Sequence, residues 1–200
     1  ADLDRWSRAA ILTGRAVTAW RLGRIPLALE LAAEGWTDID AEHLDSPLAA
    51  HALGFLGYLL NGIGHTQAAL TLMRQAVEAA RESGDTYELA VALQRLGGTL
   101  NFQAMDNPDA DTEPMFTEAR AALAEGLTLQ AAERTRRTLL GAYGAALVGC
   151  GEFADGEKAA LQTIEAGQSD GDRWSMAVGN WVLSMVRRQQ GLLVEARTHA

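Results

Sequence analysis

A glycine followed five residues later by a second small residue recurs along this chain, at Gly23/Ala28, Gly64/Ala69, Gly151/Gly156 and Gly191/Ala196. Successive glycines lie about 41, 87 and 40 residues apart, and a fixed period of this size marks a repeat architecture. The long interval holds two periods of about 43, so one further repeat is hidden between them. Its turn falls at Met105-Asp106-Asn107-Pro108, where a polar insertion runs to Pro114. A unit of this length is too long for one helix and carries no strand alternation, so each unit reads as two helices joined at the glycine. The glycine supplies the left-handed turn that a side chain resists, and the small residue lets the helices approach.

The periodicity predicts first helices over 5–22, 47–62, 86–104, 129–149 and 173–190. Second helices are predicted over 26–35, 66–83, 112–125, 153–167 and from 192 onward. Within 66–83 the residues Ala69, Leu70, Leu72, Met73, Ala76, Val77 and Ala80 form one apolar stripe at helical spacing. Ser83-Gly84-Asp85-Thr86 and Ser169-Asp170-Gly171-Asp172 stop one helix with glycine and offer the next a capping side chain. The fold class is therefore all-α, and about five helix pairs are expected to stack as a right-handed α-solenoid. With only four prolines and no Pro/Ser-rich linker, residues 1–200 read as a single helical-repeat domain. The absence of an initiator methionine and the unfinished last helix suggest a fragment of a longer protein with an incomplete final repeat.

Composition narrows the function classes. A net charge of −9 argues against a phosphate-gripping face, so no nucleic-acid partner is expected for this segment. No run of about 18 apolar residues and no signal peptide is present, which points to a cytoplasmic protein without a membrane partner. The single cysteine, Cys150, lies in an apolar run and reads as a buried inert thiol in a reducing compartment. Gly151-Glu152-Phe153-Ala154-Asp155-Gly156-Glu157-Lys158 has phosphate-loop glycine spacing. Its lysine is out of register, no Ser or Thr follows it, and a helix precedes it. Asp109-Ala110-Asp111-Thr112-Glu113 opens like a calcium loop, yet Pro114 and Arg120 occupy the positions that need glycine and bidentate glutamate. The four histidines (His43, His51, His65, His199) show no zinc spacing and no triad. Neither catalysis nor a cofactor or metal is expected; binding is.

The residues resemble the tetratricopeptide pattern of an apolar–small pair, an apolar residue, a glycine, a small residue and a bulky apolar residue. The second repeat carries it as Leu56-Gly57, Leu60, Gly64, Ala69 and Met73, followed by Ala76. The fourth does so through Tyr143-Gly144, Leu147, Gly151, Gly156 and Ala160, and the first more loosely through Ala16, Ala19, Gly23, Ala28 and Ala32. The third keeps Leu96-Gly97 and Leu100, and the fifth keeps Leu183-Ser184, Gly191 and Ala196 with Arg187 in place of the apolar residue. Two departures are the longer period and the missing closing proline. In both respects the chain is similar to the helical-repeat regions of large bacterial activators. These are the maltose-activator-like LuxR-type regulators and the antibiotic-regulatory proteins of actinobacteria. The string Gly171-Asp172-Arg173-Trp174-Ser175-Met176-Ala177, ending at Gln190-Gly191, looks particularly like them. The resemblance implies a recognition and signal-relay region of a transcriptional regulator, lying between an NTPase module and a DNA-binding module. Implied partners are a protein or peptide, a small-molecule inducer, and the adjoining modules.

In a stack of helix pairs the first helices line the inner wall. Aligning the repeats projects Thr13 and Trp20, then His51, Tyr58 and Asn61, then Gln94 and Asn101, then Trp181 and Arg188 toward it. Asn61 and Asn101 hold equivalent positions, and side-chain amides can grip an extended peptide backbone. Arg137, with Arg134 and Arg136, forms a basic cluster suited to a partner carboxylate or phosphate. Of the five tryptophans, Trp20 and Trp181 are binding candidates; Trp6 and Trp174 begin first helices and are assigned to packing between repeats. Two competing expectations remain. One is a passive assembly scaffold or self-association module, for which an apolar end face at Leu192, Leu193 and Val194 would permit a homodimer. The other is an accessory region of a different signalling enzyme, a hydrolase or cyclase.

Overall fold

A computed structural model describes residues 4–39, 46–107 and 111–199, and these form ten α-helices with no strand among them. The helices are α1 (Arg5–Arg21), α2 (Ile25–Thr37), α3 (Pro47–Gly62), α4 (Thr66–Ser83) and α5 (Thr86–Asp106). They continue as α6 (Glu113–Thr128), α7 (Glu133–Gly149), α8 (Phe153–Asp170), α9 (Arg173–Gln189) and α10 (Leu193–His199). Every helix predicted from the periodicity is present. The main shift is at α7, which starts at Glu133 because Leu129 leaves α6 in extended backbone. Among the described residues no helix is long and apolar enough to cross a membrane.

All four repeat glycines are in the left-handed conformation, with φ of 72° at Gly23, 89° at Gly64, 81° at Gly151 and 77° at Gly191. The amide after each glycine reaches back to the carbonyl five residues before it. The pairs are Arg24 to Ala19 (2.9 Å), His65 to Leu60 (2.8 Å), Glu152 to Leu147 (2.9 Å) and Leu192 to Arg187 (2.9 Å). These are Schellman closures, which satisfy the carbonyls that a helix end leaves orphaned. The same residue then starts the next helix: the Ala28 amide donates to the Arg24 carbonyl and the Ala69 amide to the His65 carbonyl. So tight a turn leaves no room for a side-chain cap, and α2, α4 and α8 have none.

Three first helices, α1, α5 and α9, are started differently, by an acidic side chain. The Asp4 carboxylate accepts from the Ser7 amide at 2.9 Å, Asp85 from Tyr87 at 2.9 Å and Glu88 at 3.0 Å, and Asp172 from Trp174 at 3.1 Å. Hydrogen bonds from the Ser175 hydroxyl and amide hold the Asp172 carboxyl below the usual carboxylate range, and Ser7 does the same for Asp4. Acidic caps favour the positive end of a helix and satisfy its free amides.

Two compact units divide the chain, residues 1–96 and 97–200, and the division falls within the continuous helix α5. In the first unit α1 packs on α2 and α3, and α3 on α4. Its core holds Leu12, Ala16, Val17, Ala28, Leu31 and Leu59, and a smaller cluster of Ala49, Ala50, Ala79 and Ala80 packs against Trp6. Trp6 thus fills the space between neighbouring hairpins, as its position predicts. In the second unit α7 packs on α6, α8 and α9, α8 on α9, and α9 on α10. Val148, Ala160, Val182, Leu183 and Val186 form its core. The small residues do what the repeat requires. Ala28 and Ala69 are fully buried, and a methyl on Gly156 would stand 3.1 Å from the Gly144 carbonyl and 2.6 Å from Val148.

Three expectations are corrected, and one departure from the repeat is explained. Thr13 is fully buried, its hydroxyl donating to the Ala9 carbonyl at 2.8 Å, because it lies on the face of α1 that meets Gly35 of α2. It does not face a binding wall. Trp174 is 66% exposed, so most of its ring lies in solvent rather than buried between repeats. Cys150 closes α7 half-buried rather than buried, although partial burial still pushes its thiol upward, away from the reactive thiolate. Arg187, which replaced an apolar repeat residue, is an ion-pairing position: its guanidinium donates to Glu157 and lies 3.5 Å from Glu195.

Candidate functional site

In the first unit, α3 presents His51, Phe55 and Tyr58 at i, i+4 and i+7, a spacing that puts all three on one face. Trp20 and Arg21 approach from the end of α1, and Glu88 and Arg95 from α5. The Trp20 and Tyr58 rings meet edge to face, 5.7 Å apart at 87°. His51 stands edge-on to Phe55 at 4.4 Å, with Nδ1 3.2 Å from a Glu88 carboxylate oxygen. The Arg21 guanidinium lies 5.3 Å from the Tyr58 ring centroid, and its Nη2 donates weakly to Tyr58 Oη at 3.4 Å. Across the same face the Arg95 guanidinium covers the Phe55 ring at 4.5 Å.

Two glycines make this arrangement possible. A Cβ on Gly54 would sit 2.5 Å from Arg95 Nη1, so the guanidinium lies directly over bare backbone. A methyl on Gly62 would overlap the Trp20 ring. Burial lowers the Arg95 pKa from its usual value, partly offset by Glu88, and the charge on Arg21 lowers it further. Trp20, Phe55 and Tyr58 also back onto the apolar core, which fixes their rotamers. Asn61 and Gln94 are half-buried on α3 and α5, and among the described residues neither side chain has a hydrogen-bond partner.

Three residues assigned to the wall thus lie in this unit: Trp20 and Tyr58 are in direct contact, and His51 shares the α3 face with Tyr58 and contacts Phe55 and Glu88. Arg21, Arg95, Phe55 and Glu88 escaped the sequence reading. The i, i+4 and i+7 spacing from His51 could have flagged Phe55. Nothing in a sequence signals that an arginine lies over a glycine.

The second unit treats its predicted residues differently. Asn101 is buried, with Nδ2 donating to the Ala142 carbonyl at 2.8 Å and Oδ1 buried without a partner, so its side chain is turned into the packing of the second unit rather than presented on a surface. Arg137 is also buried and ion-paired with Asp170, with Asp172 at 3.8 Å. It ties α7 to the turn between α8 and α9 and is not presented to a partner. Trp181 stacks on Phe102 at 5.9 Å and 19°, leaving Phe102 56% exposed. Arg188 is exposed. Arg120 pairs with Glu152, and Arg187 with Glu157; the latter bond holds the Glu157 carboxyl below its ordinary range.

A separate apolar cleft of about 560 Å³ lies in the first unit, lined by Leu29 and Trp36 of α2, Leu56 and Leu60 of α3, and Leu72 of α4. No protein-family model matches the chain, and none of the curated proteins is significantly similar to it.

Proposed function

We propose that the chain is a tetratricopeptide-like recognition and signal-relay region of a bacterial transcriptional regulator, its helix pairs stacked as a right-handed α-solenoid. Support for the repeat comes from the four identical glycine closures and from packing in which α1 meets α3 and α7 meets α9. The observation that carries recognition is the face of the first unit where His51, Tyr58, Trp20, Arg21 and Arg95 converge. Aromatic rings supply contact area at small entropic cost, while guanidinium and amide groups with unspent donors supply specificity. A protein, a peptide or a small inducer occupying that face would change the angle between adjoining hairpins and so bias the attached modules. A cytoplasmic location follows from that role.

Hydrogen exchange on the intact regulator, with and without candidate inducers, tests the relay. Protection should change in α1, α3 and the first half of α5; exchange and activity indifferent to every inducer contradict a relay. Flanking sequence with an upstream phosphate loop and a downstream helix-turn-helix would fix the context. A second reading, a self-associating scaffold, is favoured by the exposure of Leu193 (61%) and Val194 (80%). Removing those two side chains should then abolish dimers.

A further inference from the structure

We infer that Arg21, over Tyr58, and Arg95, over Phe55 one turn away on α3, form a seat for an oxyanion, the carboxylate or phosphate group of a small ligand. The inference rests on the recognition face proposed above and names the chemistry it takes. Acidic side chains outnumber basic ones in this chain, 26 to 17. Arg8, Arg120, Arg137 and Arg187 have each found a carboxylate. Among the described residues Arg21 and Arg95 have none within ion-pair distance. Glu88, the acidic group whose charge most favours the Arg95 cation, is engaged by His51.

Leaving two like charges in mutual range, one of them half-buried over Phe55 and the Gly54 backbone, is unfavourable without a counter-ion. Arg95 has no hydrogen-bond acceptor among the described residues, and Arg21 has only the long contact to Tyr58. Each guanidinium carries five N–H donors in a planar fork that matches carboxylate and phosphate oxygens two at a time. Aromatic walls lower the local dielectric and strengthen the attraction for an arriving anion. The competing account is a purely structural Arg95, pinning α5 to α3 through Phe55. That account predicts no response to anions and a loss of stability when the charge is removed.

The test follows the arginine Nε–H resonances of the ¹⁵N-labelled chain while sodium benzoate or inorganic phosphate replaces chloride at constant ionic strength. Saturable shifts at Arg21 and Arg95, with Arg188 unmoved, are expected. A response to benzoate alone identifies a carboxylate ligand, and a response to phosphate alone a phosphorylated one. Arg95→Gln should abolish the Arg21 response and the anion-dependent rise in melting temperature, while the anion-free melting temperature stays level or rises. Arg95→Lys, which keeps the charge and loses the fork, should weaken the response at least tenfold. The oxyanion seat is overturned by the absence of saturable shifts into the tens of millimolar, or by an Arg95→Gln chain that still responds. It is equally overturned if Arg95→Gln lowers the anion-free melting temperature as Phe55→Ala does. None of these results touches the inducer-dependent exchange, which tests recognition separately.

Discussion

Gly179 shows how little slack the packed helices leave. A methyl there would stand 2.8 Å from the Ala160 carbonyl and 2.6 Å from Ile164, and a backbone oxygen cannot move aside as a side-chain tip can. Gly179→Ala should therefore destabilise by about 1–3 kcal/mol despite alanine's better helix propensity, measured by urea denaturation. A stabilised variant would show that α8 and α9 are not in such close contact. The cap at Asp85 is a second single-residue test. Its carboxylate serves two amides of α5, and Asp85→Ala should cost about 1 kcal/mol, with Asp85→Asn retaining most of it. Arg137 carries the opposite lesson: in sequence it sits in a basic run that suggests a partner, and folding spends it on Asp170.

Helices held together by ion pairs respond to pH with a definite sign. The Arg187 guanidinium, linking α9 to α8, keeps the Glu157 carboxyl below its ordinary value. A depressed carboxyl stabilises the fold above its unfolded value, near pH 4.3, and loses that contribution as pH falls through the lower folded value. Glu157→Gln should accordingly flatten the acid side of the stability profile below about pH 4.5 and leave the alkaline side unchanged. An unaltered acid limb would show that the pair is too well solvated to matter. Element identity was legible because helical hairpins announce themselves locally. The glycine, the capping Asp and the apolar stripe lie within a few residues of one another, so every predicted helix was found. The site was legible only in part. Trp20, His51 and Tyr58 follow from which face of a first helix is not core, whereas Thr13 and Asn101 turn inward because a modest rotation of the helix register is enough to do so, and the basic run around Arg137 gives no sign that Asp170 will meet it. Arg95 was invisible, since its environment is made by Gly54 and Phe55 on another helix.

Four of the five hairpins share one plan, a Schellman glycine closing the first helix onto the second, and in each unit a first helix leans on the next first helix. The apolar residues at the start of α10, Leu193 and Val194, are largely exposed. If the hairpins stack as proposed, stability is a sum of local terms and nearest-neighbour contacts, and opening should proceed hairpin by hairpin. Native-state hydrogen exchange in graded, sub-denaturing urea tests that directly. Opening free energies should rise in steps from α10 through α9 and α8 toward α7, with each hairpin exchanging as a block. Convergence of all slowly exchanging amides, α10 included, on one global opening energy would contradict a repeat stack and, with it, the recognition face assigned to its first helices.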